Sequence, residues 1–182
     1  MEKGCEDMAE NEEQQIYLVT GVMAAGKSTV SQMLAARLKR CVHLRGDVFR
    51  RMIVSGREEM SQTPLEEAVR QLHLRYRMAA AAAKQYLEGG FSVVMQDNYY
   101  GEDLKRMLEY LEGYPVRVVV LCPDVETVKK RELGRGKTGY IGFSVEALYD
   151  DFIRTTPRIG YWLDTSEQTA EQTVQAILGH FA

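Results

Sequence analysis

Long apolar runs are missing from this 182-residue chain: nothing approaches the roughly 18 consecutive apolar residues that cross a bilayer. Cysteine is scarce. Cys5, Cys41 and Cys122 form no C-x-x-C pair. Cys41 and Cys122 fall at or in apolar segments, a pattern of reduced core thiols in a cytoplasmic protein rather than a disulfide scaffold. No His/Cys/Asp spacing suggests a zinc site. The N-terminus is acidic, unlike a secretory or transit leader. Repeats and interdomain linkers are absent too, so a single domain over 15–182 is expected. Nor is there a large charge excess. Net charge is −3, of which residues 1–13, with six acids and one lysine, hold −5, leaving +2 on the rest. The acidic stretch has too few apolar residues to bury itself, so 1–14 reads as a disordered tail. The near-neutral remainder argues against a nucleic-acid binder.

What the chain does have is alternation. "QIYLVT" (15–20), "CVHL" (41–44), "FSVVMQD" (91–97), "VRVVVLCP" (116–123) and "YWLDTS" (161–166) read as short strands. Between them lie helical patterns. Residues 27–39 place Val30, Leu34, Ala35 and Leu38 at helical spacing. A second helix opens at "TPLEE", with Thr63 as expected N-cap and Glu66 completing a capping box, and runs to Gly89-Gly90. Helices are also expected over 102–112, after Asp124 as cap, over 144–154 and from Thr169 onward. Strands alternating with helices imply an α/β fold, a parallel sheet with helices on both faces.

The first strand runs into "GVMAAGKST", a G-x-x-x-x-G-K-S pattern. Glycines let such a loop wrap a phosphate, and the following helix N-terminus offers positive potential. The phosphates are expected among Gly21, Ala24, Ala25, Gly26, Lys27, Ser28 and Thr29. Lys27 would reach the β- and γ-phosphates and Ser28 would hold Mg²⁺, so ATP and Mg²⁺ are the expected cofactors. Strand before and helix after supply the context the motif requires.

The destination of the phosphate must lie near the carboxyl ends of the strands. "HLRGDVFRR" leaves the second strand there. Asp47 is placed to take a proton from an attacking hydroxyl, and it is expected to cap the helix that follows as well, a role that does not exclude the first. Arg50, one turn on, can hold a transferring phosphoryl or an anionic acceptor. "KKRELGRGKTGY" supplies Arg131, Arg135 and Lys137 on a helix followed by glycines, which reads as a lid over about 124–143. Asp97, ending an apolar strand, either positions Mg²⁺ or binds the acceptor. Tyr99 and Tyr100 behind it offer an aromatic wall or simple packing.

"GVMAAGKST" followed by "LRGDVFRR", with "VMQDNYY" and the basic segment 131–137, resembles the small P-loop kinases of the zeta-toxin, chloramphenicol phosphotransferase and polynucleotide kinase group. The resemblance implies a P-loop NTPase fold with five parallel strands in the order 2-3-1-4-5 and a lid. It implies Asp47 as general base, Arg50 at the phosphoryl group, and Arg131 and Arg135 as lid arginines. It also implies that the region around "PRIGYWLDTS" borders the adenine. The expected activity is ATP-dependent transfer to the hydroxyl of a small molecule. A 5′-hydroxyl polynucleotide kinase and a nucleotide-operated switch or ATPase are the alternatives. The chain lacks an N-K-x-D guanine motif and is short for a ring ATPase, which weighs against a switch.

Overall fold

The computed structural model describes residues 14–134 and 144–182. The expected tail (all but Gln14), Cys5, Arg135 and Lys137 lie outside the described residues. The elements are β1 (Ile16–Thr20), α1 (Lys27–Arg37), β2 (Cys41–Arg45), α2 (Gly46–Arg51), α3 (Glu66–Glu88), β3 (Ser92–Gln96), α4 (Glu102–Tyr110), β4 (Val116–Leu121), α5 (Val125–Leu133), α6 (Val145–Thr155), β5 (Tyr161–Leu163) and α7 (Ala170–His180). The five strands form one sheet in the order β2-β3-β1-β4-β5. Every pair is parallel, and Leu18 of β1 lies between Met95 of β3 and Val118 of β4.

All five residues of β1 are buried. Successive strand residues point to opposite faces, so a strand buried throughout is covered on both sides. The β4 run Val118–Leu121 is buried in the same way. Each such Val or Leu contributes about 1.5–3 kcal/mol by leaving water. On α1, Val30 and Leu34 face inward. On α3 the buried set is Ala68, Tyr76, Ala79, Ala80 and Ala83; the alanine run lets the helix lie close to its neighbours.

Among the described residues three helix starts carry a side-chain cap, each removing an orphan N–H. Asp124 accepts from Thr127 N (2.6 Å), Ser144 from Ala147 N, and Thr169 forms a capping box with Gln172. The cap expected at Thr63 is not there. α3 begins at Glu66 after Leu65, which holds extended backbone (φ −63°, ψ 149°) and gives no side-chain cap. The helix end is tied instead by Gln71, whose Nε2 donates to Gly56 O (2.8 Å) and whose Oε1 accepts from Glu58 N (2.9 Å). β5 stops at Leu163, three residues before the expected end. The Asp164 carboxylate captures Ser166 N (2.9 Å), a local turn that competes with the strand ladder.

Candidate active site

β1 delivers the chain to the loop 21–26 at the carboxyl edge of the sheet. Gly21 holds φ +143°, and a Cβ there would lie 2.4 Å from Leu121 O at the end of β4. Only glycine fits that backbone in that space. Ala24 is left-handed (φ +64°), unusual for a residue with a Cβ and typical of strained ligand clamps. Gly26 caps α1 with no side-chain acceptor, so the first-turn amides of α1 point into the loop unclaimed by a capping side chain. Lys27 is buried, and its Nζ donates to the carbonyls of Gly21 (2.6 Å) and Val22 (2.8 Å). Ser28 and Thr29 are exposed on the first turn. Ser28 Oγ accepts from Gln96 Nε2 at 3.4 Å. The seven residues expected around the phosphates span this loop and the first turn of α1.

Beside this loop lies a cavity of about 250 Å³ lined by Ala25, Gly26, Thr29, Arg131, Thr165 and Gln168, among others. Arg131 reaches it from α5. Its NH1 donates to Ala25 O (3.3 Å) and its NH2 to Thr165 O (2.8 Å), so one guanidinium ties α5 to both the glycine loop and the segment after β5. Thr165 Oγ1 is buried without a hydrogen-bond partner among the described residues. Trp162 lies outside this cavity. It stacks on Phe152 (5.4 Å between centroids) under the Arg158 guanidinium.

On the other side of the loop, β2 leads straight into α2. Asp47 sits in the first turn of α2, and the residue at the N-cap position is Arg45 with no side-chain cap. The capping reading of Asp47 therefore fails, because the helix starts one residue before it. Its carboxylate accepts instead from Arg50 Nε (2.9 Å), with Arg50 NH2 2.8 Å from the same oxygen, while Arg51 pairs with the other oxygen. Partial burial pushes the Asp47 carboxyl up, but the two guanidinium groups outweigh it and hold the group below the usual aspartate range. Arg50 also donates through NH1 to Glu59.

The end of β3 separates two adjacent residues onto opposite faces. Gln96 turns to Ser28, and Asp97 turns to α3. Arg75 of α3 places Nε 2.9 Å from Asp97 Oδ2, off the hydrogen-bond axis, and donates from NH2 to Oδ1 at 3.2 Å. Asn98 N donates to Oδ1 at 2.8 Å. Burial dominates and raises the Asp97 pKa against the opposing charges of Arg75 and Lys27, with Asp47 adding to the rise. Gly46 lies directly against this carboxylate: a Cβ there would fall 1.9 Å from Asp97 Oδ2. The turn carrying Asp47 is thus seated on Asp97. Tyr99 is fully buried with its ring 5.0 Å from Tyr76, so it is core and not a wall for a ligand. Its burial pushes the phenol pKa well up. Tyr100 packs edge-on against Phe152.

Sequence reasoning missed Gln96, Arg75, Gly46, Arg57 and Glu59. A glycine between a strand and an acid, as in "RGD", is a signal of close approach that could have found Gly46. The partnership of Arg75 with Asp97 leaves no local trace, because 22 residues separate them.

A family profile described as AAA domain matches residues 16–152. The chain belongs to that AAA family. Its fold is shared with solved structures over nearly its whole length. A sugar kinase from Janibacter sp. is 19% identical with a TM-score of 0.68, covering 91% of this chain and 93% of its own. The tunicamycin resistance protein of Deinococcus radiodurans is 15% identical with a TM-score of 0.72, covering 93% and 96%. A gluconokinase from Sinorhizobium meliloti is 18% identical with a TM-score of 0.60, covering 93% and 94%. No curated protein matches at a significant level. The AAA chain thus has the fold of the small P-loop kinases, with the strand order expected from the resemblance. Among its described residues no helix is long and apolar enough to cross a membrane.

Proposed function

We propose that the protein is an ATP-dependent phosphotransferase that moves the γ-phosphoryl group to a hydroxyl of a small molecule. The observation that carries this reading is the carboxyl end of β3, where Gln96 reaches Ser28 of the glycine loop and the adjacent Asp97 seats Gly46, the residue before Asp47. The hydroxyl suited to the nucleotide's metal and the carboxylate suited to the acceptor are thus tied to neighbouring residues. The similar structures named as a sugar kinase and a gluconokinase agree with a small hydroxylated acceptor.

The loop amides and Lys27 would hold the triphosphate, and the cavity beside Arg131 and Thr165 would take the base. The acceptor hydroxyl would give its proton to Asp47 as its oxygen bonds to phosphorus and the bond to ADP breaks. Asp47 is a weak base, ionised at neutral pH. That suffices where positioning and charge stabilisation do most of the work. Arg50 is the group that would steady charge beside Asp47, and Arg131, already against the glycine loop, would bear on the nucleotide from α5.

Among the described residues no group of three His, Cys, Asp or Glu could hold a metal. The exposed Ser28 hydroxyl fits a hard cation that keeps its waters and phosphate oxygens and takes one or two protein ligands. Mg²⁺ bound with the nucleotide supplies neutralisation of the phosphate charge. We assign Asp97 to the acceptor side, as the seat of the Asp47 turn, because Arg75 and Gly46 already enclose its carboxylate.

The test is a panel of hydroxylated metabolites and antibiotics incubated with ATP and Mg²⁺, with mass detection of products. A phosphorylated alcohol, absent with Lys27→Ala, is expected. ATP consumption with no phosphorylated product across the panel would contradict the proposal.

A further inference from the structure

The connection between α2 and α3, residues 52–65, carries an arginine and a glutamate that the transfer chemistry has not used. The two oxygens of Glu59 are divided between two guanidinium groups. Oε2 accepts from Arg50 NH1, and Oε1 lies 3.0 Å from Arg57 Nε. Arg50 faces both ways, with Nε and NH2 on Asp47 and NH1 on Glu59. Arg57 is not on a loose loop. Its two neighbours, Gly56 and Glu58, are both hydrogen-bonded to Gln71 of α3. The arrangement presents two arginines to the two oxygens of a single carboxylate, one guanidinium away from the candidate base.

Paired arginines of this kind suit planar or tetrahedral oxyanions, carboxylate or phosphate. The carboxylate they hold here belongs to the chain itself. Glu59 and Arg57 are exposed (55% and 41%) and Arg50 nearly a third so (32%). Ion pairs in contact with water contribute little, so an incoming anion can replace Glu59 at small cost.

We propose that Arg50 and Arg57 bind an oxyanion of the acceptor, a carboxylate or phosphate carried by the same molecule whose hydroxyl is phosphorylated, and that Glu59 fills this place until the acceptor arrives. The inference rests on the transferase reading and narrows it: the substrate is a hydroxylated acid or phosphate ester, and neutral alcohols bind poorly because they leave Glu59 where it is. Glu59 then acts as a gate on Arg50. While Glu59 is in place, one edge of the Arg50 guanidinium is held away from the reacting groups.

The probe is inorganic phosphate, titrated calorimetrically into the full chain with saturating Mg·ADP so that the glycine loop is filled. Glu59→Gln should bind phosphate about fivefold more tightly than the parent, the scale of one exposed ion pair removed. The double variant Glu59→Gln/Arg57→Ala should lose that gain. Unchanged affinity in Glu59→Gln, or a gain that survives without Arg57, overturns the proposal. The same variants are then run on the acceptor panel. Glu59→Gln should lower KM for anionic alcohols several-fold. A neutral alcohol as best acceptor, with KM indifferent to Glu59, would overturn the clamp and leave the kinase reading intact. Failure of the kinase reading itself shows differently, as ATP turnover without a phosphorylated product.

Discussion

At the β1–α1 end of the site the groups that would meet a ligand are mostly backbone: the amides after Gly21, the first turn of α1, and Lys27 buried against the loop carbonyls. At the β2–α2 end they are side chains. Asp47, Arg50, Arg51, Arg57 and Glu59 form a chain of ion pairs, all of them at least partly exposed. The first end is held by the sheet itself, since Gly21 abuts the last residue of β4. The second is held by one buried carboxylate under Gly46 and by Phe49 packed on the core, and its charged groups meet one another in contacts that water weakens. A backbone cradle suits the part of a substrate that stays the same, the polyphosphate. Exchangeable ion pairs suit the part that must enter, react and leave.

Substitutions at the two ends should therefore fail in different ways. The largest effect is expected at Gly21. Gly21→Val must move the β4 backbone or the loop, and roughly 3 kcal/mol or more of strain is expected. Calorimetry should find no nucleotide binding in this variant; near-parental binding would show that the loop is not shaped by its contact with Leu121. Next comes Gly46→Ala, which pushes the Asp47 turn off Asp97. A misplacement of about 1 Å costs about 10²-fold in rate, so kcat should fall by that order while nucleotide affinity holds. Equal loss of both would mean that the two ends are one mechanical unit.

The smallest effect is expected at Arg51. Its exposed pair with Asp47 is one of the influences lowering that carboxyl. A depressed carboxyl pKa means that the ionised base, and the stability its pairing adds, is present above the unfolded aspartate value and is lost as pH falls through the folded one. Arg51→Ala should move the acid limb of the kcat/KM profile to higher pH, with less than about a twofold change at neutral pH. An acid limb that stays in place would remove Asp47 as the group titrating there.

The same contrast governs how much was legible in the sequence. The glycine loop is visible because its residues are contiguous and its strand and helix are short-range patterns. The order of the five strands came from likeness to a known family, and the pairing bears it out. Asp47 was visible for the same reason, as a residue immediately after a strand. Residues 96 and 97 were not separable. In a strand the faces alternate, and nothing local says whether Gln96 or Asp97 turns to Ser28. Tyr99 looked equally suited to a wall or to the core; only the packing against Tyr76 decides it. Arg57 and Glu59 owe their positions to contacts between α3 and the loop before it, and Arg75 its position to Asp97 beyond β3; such ion pairs have no sequence period. The cap expected at Thr63 and not found has a similar origin, since Gln71 secures that end of the helix from within.

The central claim is a division of labour, in which the glycine loop binds nucleotide and Asp47 readies the acceptor. Its most direct test is Asp47→Asn, with nucleotide affinity and phosphoryl transfer measured side by side on the same preparation. Nucleotide affinity should stay within about twofold of the parent, while transfer falls by about 10²–10⁴-fold. Transfer at the parental rate in that variant would contradict the account.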